Sequence, residues 1–505
     1  MVIDIEVTNK DCKILNKLTI DQLALIQNKC SFEVENSEFK SYNFRNRRRN
    51  SFQWDGRRKL FNIQTRKFPV GLLYTVEELL CNNGLDINII NKRKENDIQI
   101  ECEADLSVFS PRWYQEHAVF ESVFNGNGIV KIATGGGKTA IAGLTINTLK
   151  KRTIFIVHTR DLLYQAKDSF GRLFPNCKIG QIGDGIIDYQ DITVATMQTL
   201  AILGGLNKDK NYESKSKYDE DGMSKESELT DEQIKMANFH EYSNTVQCVM
   251  MDEVQIVSSQ TAYGVRFLFE YANYAFGYSA SPWRDDGSDL MIEAAFGRRI
   301  IDITASMLIK DGYLIRPTIE IHKTAYDKSN QPTKYVDVYK RFIVENTIRN
   351  MQVASDAIKE WSNGMNTLIL VTQIKHGNEL ENIIHSMGIE DVTFISGKSG
   401  MKKRKQAIQD MRDGKISLMI ATTIADVGLD IPRLECIVEA GAGKSSVTAL
   451  QRLGRIMRPF NNKTSCKFIT YRDNVRYLKE HIEKKKLIWL TEPEFIIDDY
   501  LEKEM

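Results

Sequence analysis

The stretch from Gly128 to Thr145 constrains this chain more than any other. A short apolar run, Gly128-Ile129-Val130-Lys131, leads into Ile132-Ala133-Thr134-Gly135-Gly136-Gly137-Lys138-Thr139 and then into Ala140-Ile141-Ala142-Gly143-Leu144-Thr145. Strand, glycine loop and a helix opening on Lys-Thr is the layout of a phosphate-binding loop. Polyphosphate demands many donors at close range. Three successive glycines let backbone N–H groups turn inward without Cβ clashes, and the helix N-terminus adds free N–H groups and the positive end of its dipole. On this reading Thr134, Gly135, Gly136 and Gly137 form the cradle, Lys138 reaches the β- and γ-phosphates, and the Thr139 hydroxyl binds Mg²⁺. One departure stands out: Ile132 occupies the place of the first glycine in the usual pattern. The plainer reading is a glycine-rich turn with an exposed lysine.

With 505 residues, the chain has room for about three domains of ordinary size. Its 68 basic and 67 acidic residues nearly cancel, so only local clustering can point to a polyanionic partner. Eight cysteines are scattered with no C-x-x-C pair, which argues against structural zinc and disulfides and for a reducing compartment. No apolar run approaches the ~18 residues of a membrane span, so no membrane partner is expected. Met1 to Val7 alternates apolar and acidic residues and reads as a strand, not a signal peptide.

Residues 1–95 read as a small basic α/β accessory DNA-binding domain. A strand at Val2 to Val7, a helix from Ile20 capped by Thr19, strands near Phe39 to Phe44 and Lys59 to Ile63, a helix from Val76 to Leu80 stopped by Asn83-Gly84, and a strand at Asp86 to Ile90 are expected. Basic residues crowd its middle, among them Arg47, Arg48, Arg49 and Arg57, with Tyr42, Phe44, Phe52, Trp54 and Phe61 interleaved. That mixture suits phosphate contacts with base stacking; a solvated basic hairpin is the alternative.

Residues 105–300 alternate apolar runs with helical patterns, as a parallel α/β domain should, with strands at Thr153 to His158, Ile192 to Thr196 and Val246 to Met251. The polar stretch 207–241 reads as a disordered or solvated surface insertion, with a DNA-contacting element as the alternative, closed by a short helix that the capping box Thr230-Asp231-Glu232-Gln233 opens. Residues 301–475 repeat the α/β pattern with strands at Thr367 to Val371, Val392 to Ile395, Leu418 to Ala421, Cys436 to Val438 and Lys467 to Tyr471. Residues 476–505 read as a C-terminal helical tail, basic at first and acidic at its end.

A phosphate loop needs a carboxylate for Mg²⁺ and a base to orient water. Val249-Met250-Met251-Asp252-Glu253 supplies both: Asp252 at the end of a strand as metal ligand, Glu253 polarising the attacking water. A lone Asp-Glu pair would be a strand-end surface pair; one α/β domain shared with the loop changes that weighting. Farther on, Arg455 and Arg458 are three residues apart and would share one helical face. Two guanidiniums can neutralise charge on a transferring γ-phosphoryl group.

Taken in order, these segments resemble the motif series of the superfamily-2 helicases. Arg112-Trp113-Tyr114-Gln115 is similar to the adenine-reading Q-type motif, Ala133 to Thr139 to motif I, Val157 to Gln165 to motif Ia, and Ala195-Thr196-Met197-Gln198-Thr199 to motif Ic. Asp252-Glu253-Val254-Gln255 resembles motif II, Ser279-Ala280-Ser281-Pro282 motif III, Leu368 to Thr372 motif IV, Ala421 to Asp430 motif V, and Gln451 to Arg458 motif VI. The series spans about residues 110 to 460. The N-terminal Trp54-Asp55-Gly56-Arg57 and Phe68-Pro69-Val70-Gly71-Leu72, in a small basic domain before the motor, narrow the likeness to the UvsW-like helicases of T-even phages. The resemblance implies an α/β fold of two RecA-like P-loop NTPase domains with parallel sheets behind a small α/β domain. It implies an ATP- and Mg²⁺-dependent motor that remodels branched DNA: junctions, forks and R-loops, the last bringing RNA into contact. Recombination or single-strand-binding proteins are the implied protein partners, and the host cytoplasm the location.

The same resemblance places Arg112 and Gln115 on adenine, adds Gly428 and Asp430 to the nucleotide site, and puts Arg160, Thr196, Gln198 and Thr423 on the backbone of the tracked strand. Contacts to the backbone suit a motor whose stepping ignores sequence. Two departures touch the coupling of hydrolysis to movement: motif II ends in Val254-Gln255, where Ala/Cys-His is commoner, and motif III ends in Ser281, where Thr is. The rival readings are the motor subunit of a restriction-type complex, an RNA helicase, and an annealing protein whose motor is vestigial.

Overall fold

The structure, a computed structural model, describes residues 2–34, 55–107, 109–206, 230–283, 287–325, 332–422, 431–441, 443 and 445–500. They fall into two compact units. One comprises Met1–Lys131 with Gly137–Asp302, the other Ile132–Gly136 with Ile303–Met505.

The first unit holds two main sheets. In the N-terminal one, strands lie in the order Lys67–Pro69, Asp11–Ile14, Val2–Val7, Asp86–Asn91. Val2–Val7 runs antiparallel to Asp11–Ile14 and parallel to Asp86–Asn91. Its alternation is that of a half-buried strand: Ile3, Ile5 and Val7 are fully buried and the residues between them are not. Helix Ile20–Lys29 starts at Thr19, which forms a reciprocal capping box with Gln22. The helix expected at Val76 to Leu80 runs from Leu73 to Asn82. The strand expected at Lys59 to Ile63 is displaced: Arg57–Lys59 pairs with Ser31–Glu33, and Phe61 turns into the core instead. The strand expected near Phe39 to Phe44 lies outside the described residues.

This sheet is docked, not free. Gly71 packs so closely on the helix Asp289–Phe296 that a Cβ there would lie 2.2 Å from the Glu293 carbonyl oxygen. Thr75 donates to the Glu293 carboxylate, and Ala294 completes the N-terminal apolar cluster. Lys10 and Lys94 both grip Glu270, at 2.9 and 2.6 Å, and the Arg298 guanidinium lies 3.9 Å from the Tyr74 ring centre. The N-terminal sheet therefore belongs to the same compact unit as Gly137–Asp302.

The second sheet of this unit has eight strands in the order Ile186–Asp188, Ile179–Gly183, Ile192–Thr196, Thr153–Val157, Cys248–Asp252, Tyr274–Ser279, Asn127–Ile132, Arg299–Ile303. The six from Ile179–Gly183 to Asn127–Ile132 run parallel. Every residue of Thr153–Val157, Ile192–Thr196 and Cys248–Asp252 is buried, as in a parallel sheet covered on both faces, and most of them are apolar. One expectation is overturned. Cys102 and Cys177 form a disulfide, their Cα atoms 5.6 Å apart. They are 75 residues apart in sequence, and the fold, not any local spacing, brings them together.

The second unit is built on seven parallel strands in the order Thr393–Ile395, Leu418–Thr422, Thr367–Val371, Cys436–Glu439, Cys466–Arg472, Pro317–Lys323, Ile496–Asp499. The helical tail expected at 476–505 is only partly helical. After helix Lys479–Trp489 the chain adds the edge strand Ile496–Asp499, whose Asp499 pairs with both Arg472 and Lys486. Nor is the tail simply a solvated basic face: Lys485 is buried against Glu439 and Trp489 is fully enclosed. Among the described residues, no helix is long and apolar enough to cross a membrane.

Candidate functional site

The glycine loop joins the strand Asn127–Ile132 to the helix Lys138–Leu149. Gly135 and Gly137 have φ of +90° and +86°, in the left-handed region where a side chain is strained. The departure at Ile132 has a simple cause: it is the last residue of the strand, and its side chain is fully buried. Gln115 packs directly on the loop, its amide nitrogen within 2.7 Å of where a Gly137 Cβ would stand. It is 3% exposed, and its carbonyl oxygen accepts from the Arg112 backbone N–H at 3.0 Å. Arg112 in turn donates to the Tyr114 hydroxyl at 3.0 Å. The Q-type segment is thus locked onto the helix Trp113–Asn125, against the phosphate loop.

Lys138 meets both acids of motif II. Its Nζ lies 2.6 Å from Glu253 Oε1 and 3.3 Å from Asp252 Oδ1, and all three side chains are largely buried. Asp252 ends the strand Cys248–Asp252, at the carboxyl edge of the parallel sheet, where α/β folds place their ligands. Glu253 follows in the left-handed region, φ +51°, uncommon for a residue with a side chain. Burial raises the Asp252 carboxyl above the ordinary range, and Lys138 only partly offsets it. Burial acts the same way on Glu253, but there the Lys138 ammonium wins and the carboxyl sits below its ordinary value. On Lys138, burial favours the neutral amine, yet the two carboxylates push its pKa up, so it stays charged.

Gln255, which the sequence marked only as a departure, has a definite place. Its amide donates to Glu253 Oε2 at 2.8 Å, and its carbonyl oxygen accepts from the Ser279 hydroxyl at 2.7 Å. Ser279 Oγ also accepts from the backbone N–H of Ser281 at 3.0 Å. A continuous hydrogen-bonded path therefore runs from Lys138 through Glu253 and Gln255 to motif III. No local signal announced it, because Ser279 lies 24 residues downstream.

The expected nucleic-acid residues of the first unit divide. Arg160 and Gln198 are exposed on the segments leaving the adjacent parallel strands Thr153–Val157 and Ile192–Thr196. Arg160 is paired with Asp184 at 2.9 Å, and Asp184 also accepts from Tyr164. Thr196 is 7% exposed and shares a 2.8 Å hydrogen bond with Thr199. Arg57 is occupied in the small hairpin, donating to the Ser31 hydroxyl at 3.1 and 3.0 Å. Arg47, Arg48, Arg49, Thr423, Gly428 and Asp430 lie outside the described residues.

In the second unit, helix Ser446–Ile456 is N-capped by Ser445 and ends at Met457, so Arg455 sits in its last turn and Arg458 just beyond it. The single helical face expected for the two arginines is interrupted there. Both are half-buried, and Lys463 donates to the Arg458 carbonyl at 3.2 Å. A buried network that the sequence did not reveal fixes this helix. Glu439 accepts from Arg452, from Lys485 at 2.6 Å and from Thr470 at 2.8 Å. His376 is fully buried and bonded to Asn350 at 3.0 Å; burial holds its pKa down at about 3.

Comparison with known proteins adds two family matches. Residues 108–282 match the family described as type III restriction enzyme, res subunit, and residues 349–459 the helicase conserved C-terminal domain. The chain is 25% identical over 434 residues to the ATP-dependent DNA helicase uvsW of Enterobacteria phage T4, covering 81% of this chain and 80% of that one. It is 26% identical over 390 residues to a protein provisionally named helicase 22 of Sulfolobus islandicus filamentous virus, covering 72% of this chain and 64% of that one. Among solved structures, the Dbp5 of S. cerevisiae bound to RNA and ADP BeF3 superposes with a TM-score of 0.50 at 18% identity, over 78% of this chain and 90% of that one.

Proposed function

We propose that this chain, which belongs to the superfamily-2 helicases, uses ATP hydrolysis to remodel branched DNA. The observation that carries the proposal is the Lys138–Glu253–Gln255–Ser279 path, which joins the hydrolytic acid to the motif III segment. Likeness to the phage T4 uvsW helicase over most of both chains supports DNA as the track.

In this reading the triphosphate draws the Lys138 ammonium away from Glu253 and Asp252 onto its β- and γ-phosphates. Glu253 then loses the cation that holds its pKa low and gains basicity where water is to be polarised. Gln255 keeps hold of Glu253 Oε2, and Oε1 is the atom that Lys138 vacates. Thr139, in the first helical turn, and Asp252 supply a hydroxyl and a carboxylate, the hard oxygen donors that suit Mg²⁺ beside phosphate oxygens. Bound there, the ion would neutralise charge on the phosphates. Arg455 and Arg458 would stabilise the transferring γ-phosphoryl group. Ser279 follows each change at Glu253 through Gln255 and passes it to the Ser281 backbone.

The test is strand separation on forked, four-way and R-loop substrates, with and without ATP, with Lys138→Ala as the inactive control. ATP-dependent remodelling of these substrates is expected. Translocation along duplex without strand separation would favour the restriction-type motor that the res-subunit match brings into view. Stronger stimulation by RNA than by DNA would make the chain an RNA helicase, and hydrolysis persisting in Lys138→Ala would remove the phosphate-loop role.

A further inference from the structure

The second unit carries an aromatic surface that the motif series does not use. Two short helical pieces, Tyr335–Tyr339 and the π turn Lys340–Val344, sit on the segment that follows strand Cys466–Arg472. Their inner side is a small core of Val338, Phe342, Ile343, Val475 and Leu478. Their outer side presents Tyr335, 42% exposed, beside Tyr477, 37% exposed, with ring centres 6.1 Å apart and planes nearly perpendicular. Tyr339 and His481 flank Tyr335 at 6.1 and 6.0 Å. The Arg476 guanidinium lies 5.1 Å from the Tyr477 ring centre.

Three further observations give this surface a role. All seven strands are parallel, so Thr324, Thr372, Ala440 and Asp473 leave the sheet at one edge, and the aromatic pieces stand on that edge. The Tyr339 hydroxyl bonds Thr372 at the end of motif IV, and Thr324 and Arg349 both bond Asp473. Tyr477 has φ +68°, a strained conformation for a tyrosine, and π turns also concentrate at functional sites. Finally, the exposed charges of the two segments favour a polyanion: Lys334, Lys340, Arg341, Arg476 and Lys479 against Asp337, Glu345 and Glu480, with Lys340 lying 3.8 Å from Glu345.

We infer that Tyr335 and Tyr477 form a stacking platform for the bases of a single-stranded nucleic acid, with Arg476 and its basic neighbours on the phosphates. Aromatic rings bind bases without regard to sequence, since every base has a π face. The platform extends the strand path past motif IV, and it rests on the helicase reading above.

The test uses the full-length chain and fluorescein-labelled oligo(dT) and oligo(U), read by anisotropy, with photocrosslinking of iododeoxyuridine-substituted DNA. Tyr335→Ala and Tyr477→Gly should each lose about tenfold in single-strand affinity, the scale of one stacked base. Tyr335→Phe should restore binding, because the ring is what stacks. Tyr477→Phe gives up the hydroxyl's 2.7 Å hydrogen bond to the Thr333 carbonyl but keeps the ring, so its binding should hold, which separates a stacking ring from one that only ties the two segments together. Basal ATP hydrolysis without nucleic acid should not change. Loss on DNA, RNA or both supports the platform, as do crosslinks to 334–341 or 474–481. Unchanged affinities together with crosslinks elsewhere would overturn it. Should wild-type hydrolysis be stimulated by DNA while these variants bind normally, the platform alone fails; absence of stimulation in wild type would sink the helicase reading itself.

Discussion

Lys138→Ala should do more than stop hydrolysis; it should destabilise the first unit in the absence of nucleotide. The side chains of Lys138, Asp252 and Glu253 are only 14, 12 and 17% exposed, so removing the ammonium strands two carboxylates in a poorly solvated site. Breaking a buried pair from one side costs about 3–5 kcal/mol, and the residual exposure argues for the low end, about 3. For a unit of about 300 residues that corresponds to a fall of about 5 °C in melting temperature. The pH dependence has a definite sign. Burial already raises the Asp252 carboxyl, and without Lys138 the main opposition to burial at Glu253 is gone, leaving the Gln255 hydrogen bond. Carboxyls whose folded pKa is raised destabilise above that pKa and cease to do so once protonated. The gap between variant and wild type should therefore narrow as pH falls from about 7.5 to about 5.5. Scanning calorimetry of both proteins at the two pH values measures it. A variant melting within about 2 °C of wild type at the higher pH, or a gap that widens in acid, would refute the reasoning.

Gln255→Leu should lower DNA-stimulated kcat about 10- to 100-fold, the usual effect of removing a partner that orients a reacting group, while leaving ATP binding intact; steady-state kinetics and nucleotide titration check it. Gly71→Ala should undock the N-terminal sheet at a cost of about 1–3 kcal/mol, since the new methyl meets backbone and not a movable side chain; protease cleavage near residues 92–97 should quicken. Reducing Cys102–Cys177 should cost up to about 4 kcal/mol from the 75-residue separation it spans. Dithiothreitol should then lower the melting temperature of wild type but not of Cys102→Ser.

What the sequence made legible was local or strongly periodic. The glycine loop, the buried run Ile192–Thr196 and the capping boxes at Thr19 and Thr230 each declare themselves within a few residues. The strands that escaped notice lack that signature. Ile179–Gly183 carries two glycines and a glutamine, and Ile496–Asp499 ends in two aspartates. The disulfide, the Glu439 network and the Gln255–Ser279 bond join residues 75, 13 to 46 and 24 positions apart, and no single-sequence pattern reaches across such gaps. Arg455 and Arg458 show the limit of spacing arguments: the interval was helical, but the helix stops between them.

The strand Ile496–Asp499 bears on how the protein is made. It lies beside Pro317–Lys323, so Thr318 waits for Ile496 throughout the synthesis of the residues between them. At ribosomal speeds of roughly 5–20 residues per second that is on the order of 10 to 40 s. During that interval the nascent lobe displays an unpaired hydrogen-bonding edge, with Glu320 and His322 beside it. A chaperone, or a pause-free message over the last two hundred codons, would matter more to the yield of this lobe than to that of its neighbour.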